Sequence, residues 1–391
     1  MQDITPPPWP RHPTISYSLL MLWRDRRRFL PALLAIALSA VLIAVQCGLV
    51  MGMVRTTSAT IDYSSADVWV LARDAPSLHQ TYSFPVEWQA RIDRQPEVER
   101  SETYMTAMGR WRLPGRGRSE LCMLVGTRLD AGSLGALRVL TPELRAALAE
   151  PGTVVIDAWE FPTFGLKGSS YEFGEINGQA VRLAGTVHGF HGFAFVYVFC
   201  SQETLRMLSQ QVAEHPELAT CLAARCRDPR DVDHVVARLR HDYPDMGVYS
   251  SAELSLQVKK YWLFRSRGGM VLLCTMALSL LVGLSVTTET LYAAVLAQSK
   301  EFAVLEALGI HRRHVWRLVL AQSFWLGVSG TLVAVPCTVA LARAALSVNT
   351  LVLLTAPIVL LTFALTLGMA VLAGLLSLRP LRNIEPAQLL R

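Results

Sequence analysis

Apolar residues are not spread evenly along this chain. They gather into four long runs, one near the start and three close together near the end, with a mixed segment of 213 residues between the first and second. Pro31–Val54 is 24 residues long, and its most polar member is Gln46. As a helix it would reach ~36 Å at ~1.5 Å per residue, more than a bilayer core of ~30 Å. Gly268–Thr288, Leu318–Ala342 and Leu351–Leu378 are the other three runs, and none has a charge at its centre. In lipid each must be a helix, because no water is present to satisfy its backbone N–H and C=O groups. A buried helix of a soluble core would seldom be so free of charge over this length. The first run is far longer than the apolar part of a cleaved signal and reads as a retained anchor.

The segment between the first two runs alternates in a different way. Asp67–Arg73, Val98–Arg112, Glu120–Gly126 and Thr153–Asp157 read as strands, as do parts of Val181–Cys200 and Met246–Ser250. Pro85–Gln95 reads as a helix, and Asp228-Pro229 marks a capped helix start with a first-turn proline. Ser251–Arg267 has a helical apolar face of Leu254, Val258, Tyr261 and Trp262, and is expected to run straight into the second apolar run as a stalk. The fold class is therefore an α-helical membrane protein with four transmembrane helices in a 1+3 arrangement, and a large external α+β domain between helices 1 and 2.

Charge sharpens this picture. Twelve Lys and Arg flank the runs on one side: Arg11, Arg24, Arg26, Arg27 and Arg28 before the first, Lys300, Arg312, Arg313 and Arg317 between the second and third, and Arg379, Arg382 and Arg391 after the fourth. The short loop between the third and fourth runs has only Arg343. Positive residues stay cytoplasmic. Both termini are thus expected in the cytoplasm of a multi-pass bacterial inner-membrane protein, with residues 55–267 outside. The expected division is a cytoplasmic N-terminal segment 1–29, helix 1 at 30–54, the outer domain with its stalk at 55–267 and helix 2 at 268–290. A cytoplasmic loop 291–317, helix 3 at 318–342, a short outer loop 343–350, helix 4 at 351–378 and a tail 379–391 complete it. One cluster runs against the rule: Lys259, Lys260, Arg265 and Arg267 precede the second run on the outer side. Residues 55–267 have a net charge of −1 and the rest +7, so the overall +6 is a topology signal and no nucleic-acid footprint is read in it.

Catalytic chemistry is sparse. The chain has no G-x-S-x-G, no H-E-x-x-H and no Gly-Lys pair that could belong to a phosphate-binding loop. His188 and His191 stand three apart in a glycine-rich stretch without a partner motif, and read as exposed loop histidines. Cys122, Cys200, Cys221 and Cys226 lie in the outer segment with three pairings open. Cys221 and Cys226 would point to opposite faces of a single strand. The chain itself is read as no enzyme.

The sharpest local signal is Ser299-Lys300-Glu301-Phe302-Ala303-Val304-Leu305-Glu306-Ala307-Leu308-Gly309. Phe302, Leu305 and Leu308 fall at helical spacing, and Gly309 suits the left-handed position after a helix end. An apolar face in so short a loop must dock on lipid or on a partner. This stretch resembles the coupling loop of FtsX-like, MacB-type ABC permeases, with an acid after a basic residue and an Ala-x-Gly ending. The tail Arg379–Arg391, with Pro386-Ala387-Gln388-Leu389-Leu390-Arg391, resembles that family's ending, and the helix layout fits over the whole chain. Among its branches the chain is most similar to DevC-type permeases. The family often has an acid near the position of Gln322.

The resemblance implies a permease subunit of an exporter for lipid-like or amphiphilic substrates. Lys300, Glu301, Phe302, Leu305, Ala307, Leu308 and Gly309 would couple it to a separate ABC ATPase. The chain would bind no cofactor, and ATP and Mg would be used by that ATPase. A second permease copy, surrounding membrane lipid, and a periplasmic adaptor with a TolC-like outer-membrane duct are the other implied partners. Two other roles fit the same layout, lipoprotein release and transmembrane regulation of an external enzyme.

Overall fold

The computed structural model describes residues 26–78, 80–114, 119–136, 138–166, 173–192, 195–298, 304, 312–347 and 355–378. The chain divides into two units, residues 50–270, and residues 1–49 together with 271–391. The principal helices are α1 (Arg26–Thr57), α2 (Gln202–Leu208), α3 (Val232–Asp242), α4 (Ser251–Phe264), α5 (Arg267–Ala297), α6 (Arg312–Ser347) and α7 (Ala356–Ser377). The strands are β1 (Val68–Ala72), β2 (Phe84–Pro85), β3 (Val98–Arg112), β4 (Ser119–Thr127), β5 (Thr153–Asp157), β6 (Phe173–Ile176), β7 (Gln179–Val187), β8 (Val196–Ser201), β9 (Leu218–Ala219), β10 (Cys221–Cys226) and β11 (Met246–Ser250).

Residues 50–270 form an α+β domain on a mixed nine-stranded sheet, in the order β11-β1-β10-β3-β4-β8-β5-β7-β6, with β6 also pairing to the far end of β3. The first four strands belong to a βαββαβ unit: β1, the helix Trp88–Asp93, β3, β10, α3 and β11. Its two halves are far apart in sequence, because residues 113–220 are inserted between β3 and β10. That insertion extends the sheet through two parallel pairings, β4 with β8 and β5 with β7. β3 is 15 residues long and serves both parts, facing β10 with its first half and β4 with its second.

Three apolar layers hold this domain together. Val68, Val70, Leu222 and Val248 face Val235, Val236 and Leu239 of α3. The opposite faces of β1 and β10, with Trp69, Tyr104 and Phe199, pack on Leu254, Val258 and Trp262 of α4. Trp111, Cys122, Val198 and Leu205 centre the inserted part. Trp69 meets Tyr104 edge-on at 5.1 Å and Trp111 stacks on Phe164 at 4.7 Å, arrangements that add to the burial itself.

Strands at 68–72, 98–112, 119–127, 153–157 and 246–250 follow the alternation read from the sequence. Asp228 accepts from the Arg230 N–H and Pro229 opens a short turn of helix that continues into α3. The stalk differs from expectation. α4 ends at Phe264, and Arg265 and Ser266 separate it from α5. Ser266 is the reason: its hydroxyl donates to the Trp262 carbonyl and accepts from the Gly269 N–H, closing one helix and starting the next. A side chain at Gly269 would collide with the Trp262 and Leu263 carbonyls, so the joint requires glycine there.

The second unit holds most of α1 and α5, and all of α6 and α7. Among the described residues, four stretches are long and apolar enough to cross a membrane: Phe29–Thr57, Arg267–Ala297, Trp316–Ala345 and Ala356–Ser377. Each of α1, α6 and α7 buries one stripe and leaves leucines and valines on the other side, the pattern of helices that face lipid.

Candidate functional site

All seven residues singled out for coupling, Lys300, Glu301, Phe302, Leu305, Ala307, Leu308 and Gly309, lie outside the described residues. Val304, within the same segment, is helical and 49% exposed. The tail Arg379–Arg391 is also outside. The structure does show what frames the segment. α5 leads into it, ending at Ala297, and α6 leaves it from Arg312. Near those ends Val295 of α5, Leu318 and Val319 of α6 and Leu378, which follows α7, form one buried cluster, with Trp316 packed against it. This one apolar contact joins α5, α6 and the residue that follows α7.

Deeper in the bundle the helices touch through small residues. A side chain at Gly330 of α6 would meet Ile36 of α1 at 2.5 Å, and one at Gly283 of α5 would meet Ser39 of α1 at 3.0 Å. Gly327 of α6 lies against Ala370 and Leu367 of α7, and Gly374 of α7 sits on the Ser323 side chain. Close backbone approach of this kind is how helices associate in lipid, where apolar surface alone gives no drive. Several hydroxyls turn back into their own helices. Ser39, Ser323, Thr331, Thr338 and Thr362 each donate to the carbonyl four residues earlier, at 2.8–2.9 Å. Gln322 is buried beside Ser323 and is neutral where the resembling family often has an acid.

At the other end, α4 is locked to the sheet. Ser250 and Glu253 form a reciprocal capping box at its start. Ser251 accepts from the Trp69 indole at 3.1 Å and donates to the Ala66 carbonyl at 2.5 Å. Lys259 reaches Asp62 at 3.3 Å, and Tyr261 donates to Gln80 at 2.5 Å. With Leu254, Val258 and Trp262 buried, α4 cannot move without the sheet face beneath it.

Other sequence candidates resolve differently. His188 is exposed, as read, but His191 is not: its Nδ1 lies 2.9 Å from buried Glu160, which also accepts from the Gly192 N–H at 3.1 Å. Asp157, equally buried, accepts from the Phe190 N–H at 2.6 Å. The two carboxylates tie the 188–192 loop to the end of β5, a role invisible from the histidine spacing. Among the described residues no three His, Cys, Asp or Glu converge as a metal site. Cys122, Cys200, Cys221 and Cys226 are all free and buried. Burial pushes the Cys122 thiol up to about 12 and the Cys226 thiol up to about 11, and raises those of Cys200 and Cys221. Cys221 faces the layer under α4 and Cys226 the layer under α3, so the two stand on opposite faces of the strand.

Apolar helices packed by glycine and a helix anchored in an α+β domain are thus the two features that the fold presents. Residues 273–386 match the family model of the FtsX-like permease C-terminal domain. Over those residues the chain is similar to the FtsX-like permeases. The chain is similar to the periplasmic region of MacB from Actinobacillus actinomycetemcomitans, at 11% identity and a TM-score of 0.34 over 51% of this chain and 95% of that one. It is also similar to the extracellular domain of the noncanonic ABC-type transporter YknZ from Gram-positive bacteria, at 11% identity and a TM-score of 0.31 over 47% of this chain and 99% of that one. No curated protein matches.

Proposed function

We propose that this chain is the membrane subunit of an ATP-driven exporter, and that it works by transmitting motion. Lys300–Gly309 docks on a separate ATPase. ATP-driven closure moves α5, α6 and α7 together, and the movement is delivered to the α+β domain through α4. The observation that carries this reading is the buried cluster of Val295, Leu318, Val319 and Leu378, which joins three helices beside the docking segment. Ser39, Ser323, Thr331 and Thr362 support it, since each hydroxyl is bonded back into its own helix and is not offered to a solute. Lipid-like or amphiphilic cargo would be handled by the outer domain, with a periplasmic adaptor and an outer-membrane duct. ATP and Mg are used by the ATPase, and this chain binds neither.

A second copy completes the unit. Only 11% of the most apolar stretch of α5 is buried, against 50%, 33% and 39% for α1, α6 and α7. Its exposed stripe carries Val271, Cys274, Leu278, Leu281, Ser285 and Glu289 at helical spacing. A carboxylate facing lipid is costly, and a partner helix over this stripe would cover Glu289.

The test is substitution within the docking segment. Leu305→Asp and Leu308→Asp should abolish co-purification of the ATPase while membrane insertion and yield stay at wild-type level. Variants that still capture the ATPase at wild-type level would overturn the assignment.

A further inference from the structure

Lys260, Arg265 and Arg267 are exposed and have no acidic partner among the described residues. Nearby cations are committed elsewhere: Lys259 pairs with Asp62 at 3.3 Å, and Arg240 with Glu253 at 2.7 Å. The three free cations fall in eight residues, at the point where α4 gives way to α5. Arg267 is the first residue of a stretch apolar enough to span a bilayer, so the cluster sits at the membrane surface. Phe264, between Lys260 and Arg265 in sequence, leaves 61% of its surface exposed. Lys260, Tyr261, Phe264 and Arg265 form one wall of an open groove of about 730 Å³, whose other wall includes Arg240 and Tyr249. Asp74 and Glu253 also line it, and Glu253 is already held by Arg240 and the Ser250 N–H.

We infer that this groove is a binding site for the headgroup of an anionic phospholipid in the leaflet facing the α+β domain. Phosphate oxygens pair with Lys260 and Arg265 of the groove and with Arg267, two residues further along the chain, and the Phe264 ring sits at the boundary between headgroup and acyl chain. The basic cluster that runs against the positive-inside pattern then has a physical reason. Lipid bound there would hold the α4–α5 joint at a fixed depth, and the free energy for placing three unpaired cations around that joint comes from the lipid rather than from the protein. The inference rests only on α5 entering a bilayer, and stands or falls apart from the coupling role of residues 300–309.

The full chain would be reconstituted in phosphatidylcholine vesicles doped with phosphatidylglycerol bearing a photoactivatable headgroup, and labelled peptides mapped by mass spectrometry. Label is expected on the peptide spanning 256–270. Each charge near an anionic surface changes affinity by about fivefold, so Lys260→Gln/Arg265→Gln/Arg267→Gln should cut that label by about tenfold or more. Lys260→Arg/Arg265→Lys/Arg267→Lys should retain it, and raising salt should weaken it in the wild-type protein. Equal labelling of 256–270 in the triple glutamine variant, or equal labelling by a phosphatidylcholine analogue, would overturn the proposal. Label lost only when an acidic partner protein is added would support the site and identify a competitor for it. If such a protein bound the cluster while lipid label was absent, the occupant named here would be wrong.

Discussion

The two units of this chain solve packing in opposite ways. The α+β domain buries large side chains, with Trp69, Trp111, Tyr104 and Phe190 all fully enclosed, and its buried carboxylates hold loops in place. Glu102, for example, accepts from Ser133 Oγ at 2.9 Å and from the Gly135 N–H at 2.5 Å. The membrane unit also buries large residues such as Ile36, Leu291 and Leu326, but its helices approach most closely at glycine, alanine and serine, and many of its leucines and valines stay exposed. Water drives the first arrangement, because each apolar ring removed from it is stabilising. Lipid drives nothing of the kind, so the second depends on how closely two backbones can approach. A bundle held by close approach is well suited to passing on displacement, since there is little soft side-chain volume to absorb it.

The contrast predicts opposite sensitivities. Trp111→Ala, in the α+β domain, should destabilise that domain by roughly 3–5 kcal/mol, read as lost protease resistance of the full chain. Leu360→Ala, at a leucine 70% exposed on α7, should leave resistance unchanged within error. Enlargement should show the reverse. Gly330→Leu, pressed against Ile36, is expected to cost about 1–3 kcal/mol and to lower the unfolding temperature of the full chain in detergent. Gly368→Leu, with nothing within 4 Å of its would-be Cβ, should be silent. Equal effects of the two leucines would mean that close approach is not what holds the bundle.

Two smaller effects sharpen the comparison. Cys274 and Cys337 are both exposed on membrane helices, α5 and α6. If the bare face of α5 meets a second copy, oxidation in membranes should give a dimer through Cys274 that Cys274→Ser abolishes and Cys337→Ser does not. The thiols of the α+β domain offer a pH test. A thiol raised in the folded state is protonated there when its unfolded counterpart, near 9.0, begins to ionise. The contribution is full below that pH and is lost as pH rises toward the folded values of about 11 and about 12. Maleimide should therefore leave Cys122 and Cys226 untouched at neutral pH and reach them on unfolding. Loss of stability above pH 9 should be smaller in Cys122→Ala than in the wild-type chain.

Much of the fold was legible because its signals are local. The apolar runs announce themselves by length, and β1, β3, β4, β5 and β11 by alternation. The pairing of β3 with β10 was not legible, since more than a hundred residues separate them and nothing in either strand names the other. The break at Ser266 was hidden because no proline marks it and the capping bonds depend on one hydroxyl. Glycines in an apolar run likewise do not say which helix they admit; Gly330 and Ile36 meet only in three dimensions. His191 was misread as exposed because its partner, Glu160, lies on a different element. The coupling role expected of residues 300–309 comes from resemblance and local pattern, and it rests on the sequence alone.

Hydrogen exchange of residues 251–270 in the full chain, bound to its ATPase, tests the central claim of transmission most directly. ATP analogue should change exchange at the α4–α5 joint in the wild-type complex and leave it unchanged in Leu305→Asp/Leu308→Asp. An unchanged joint in the wild-type complex, or the same change in the variant, would contradict it.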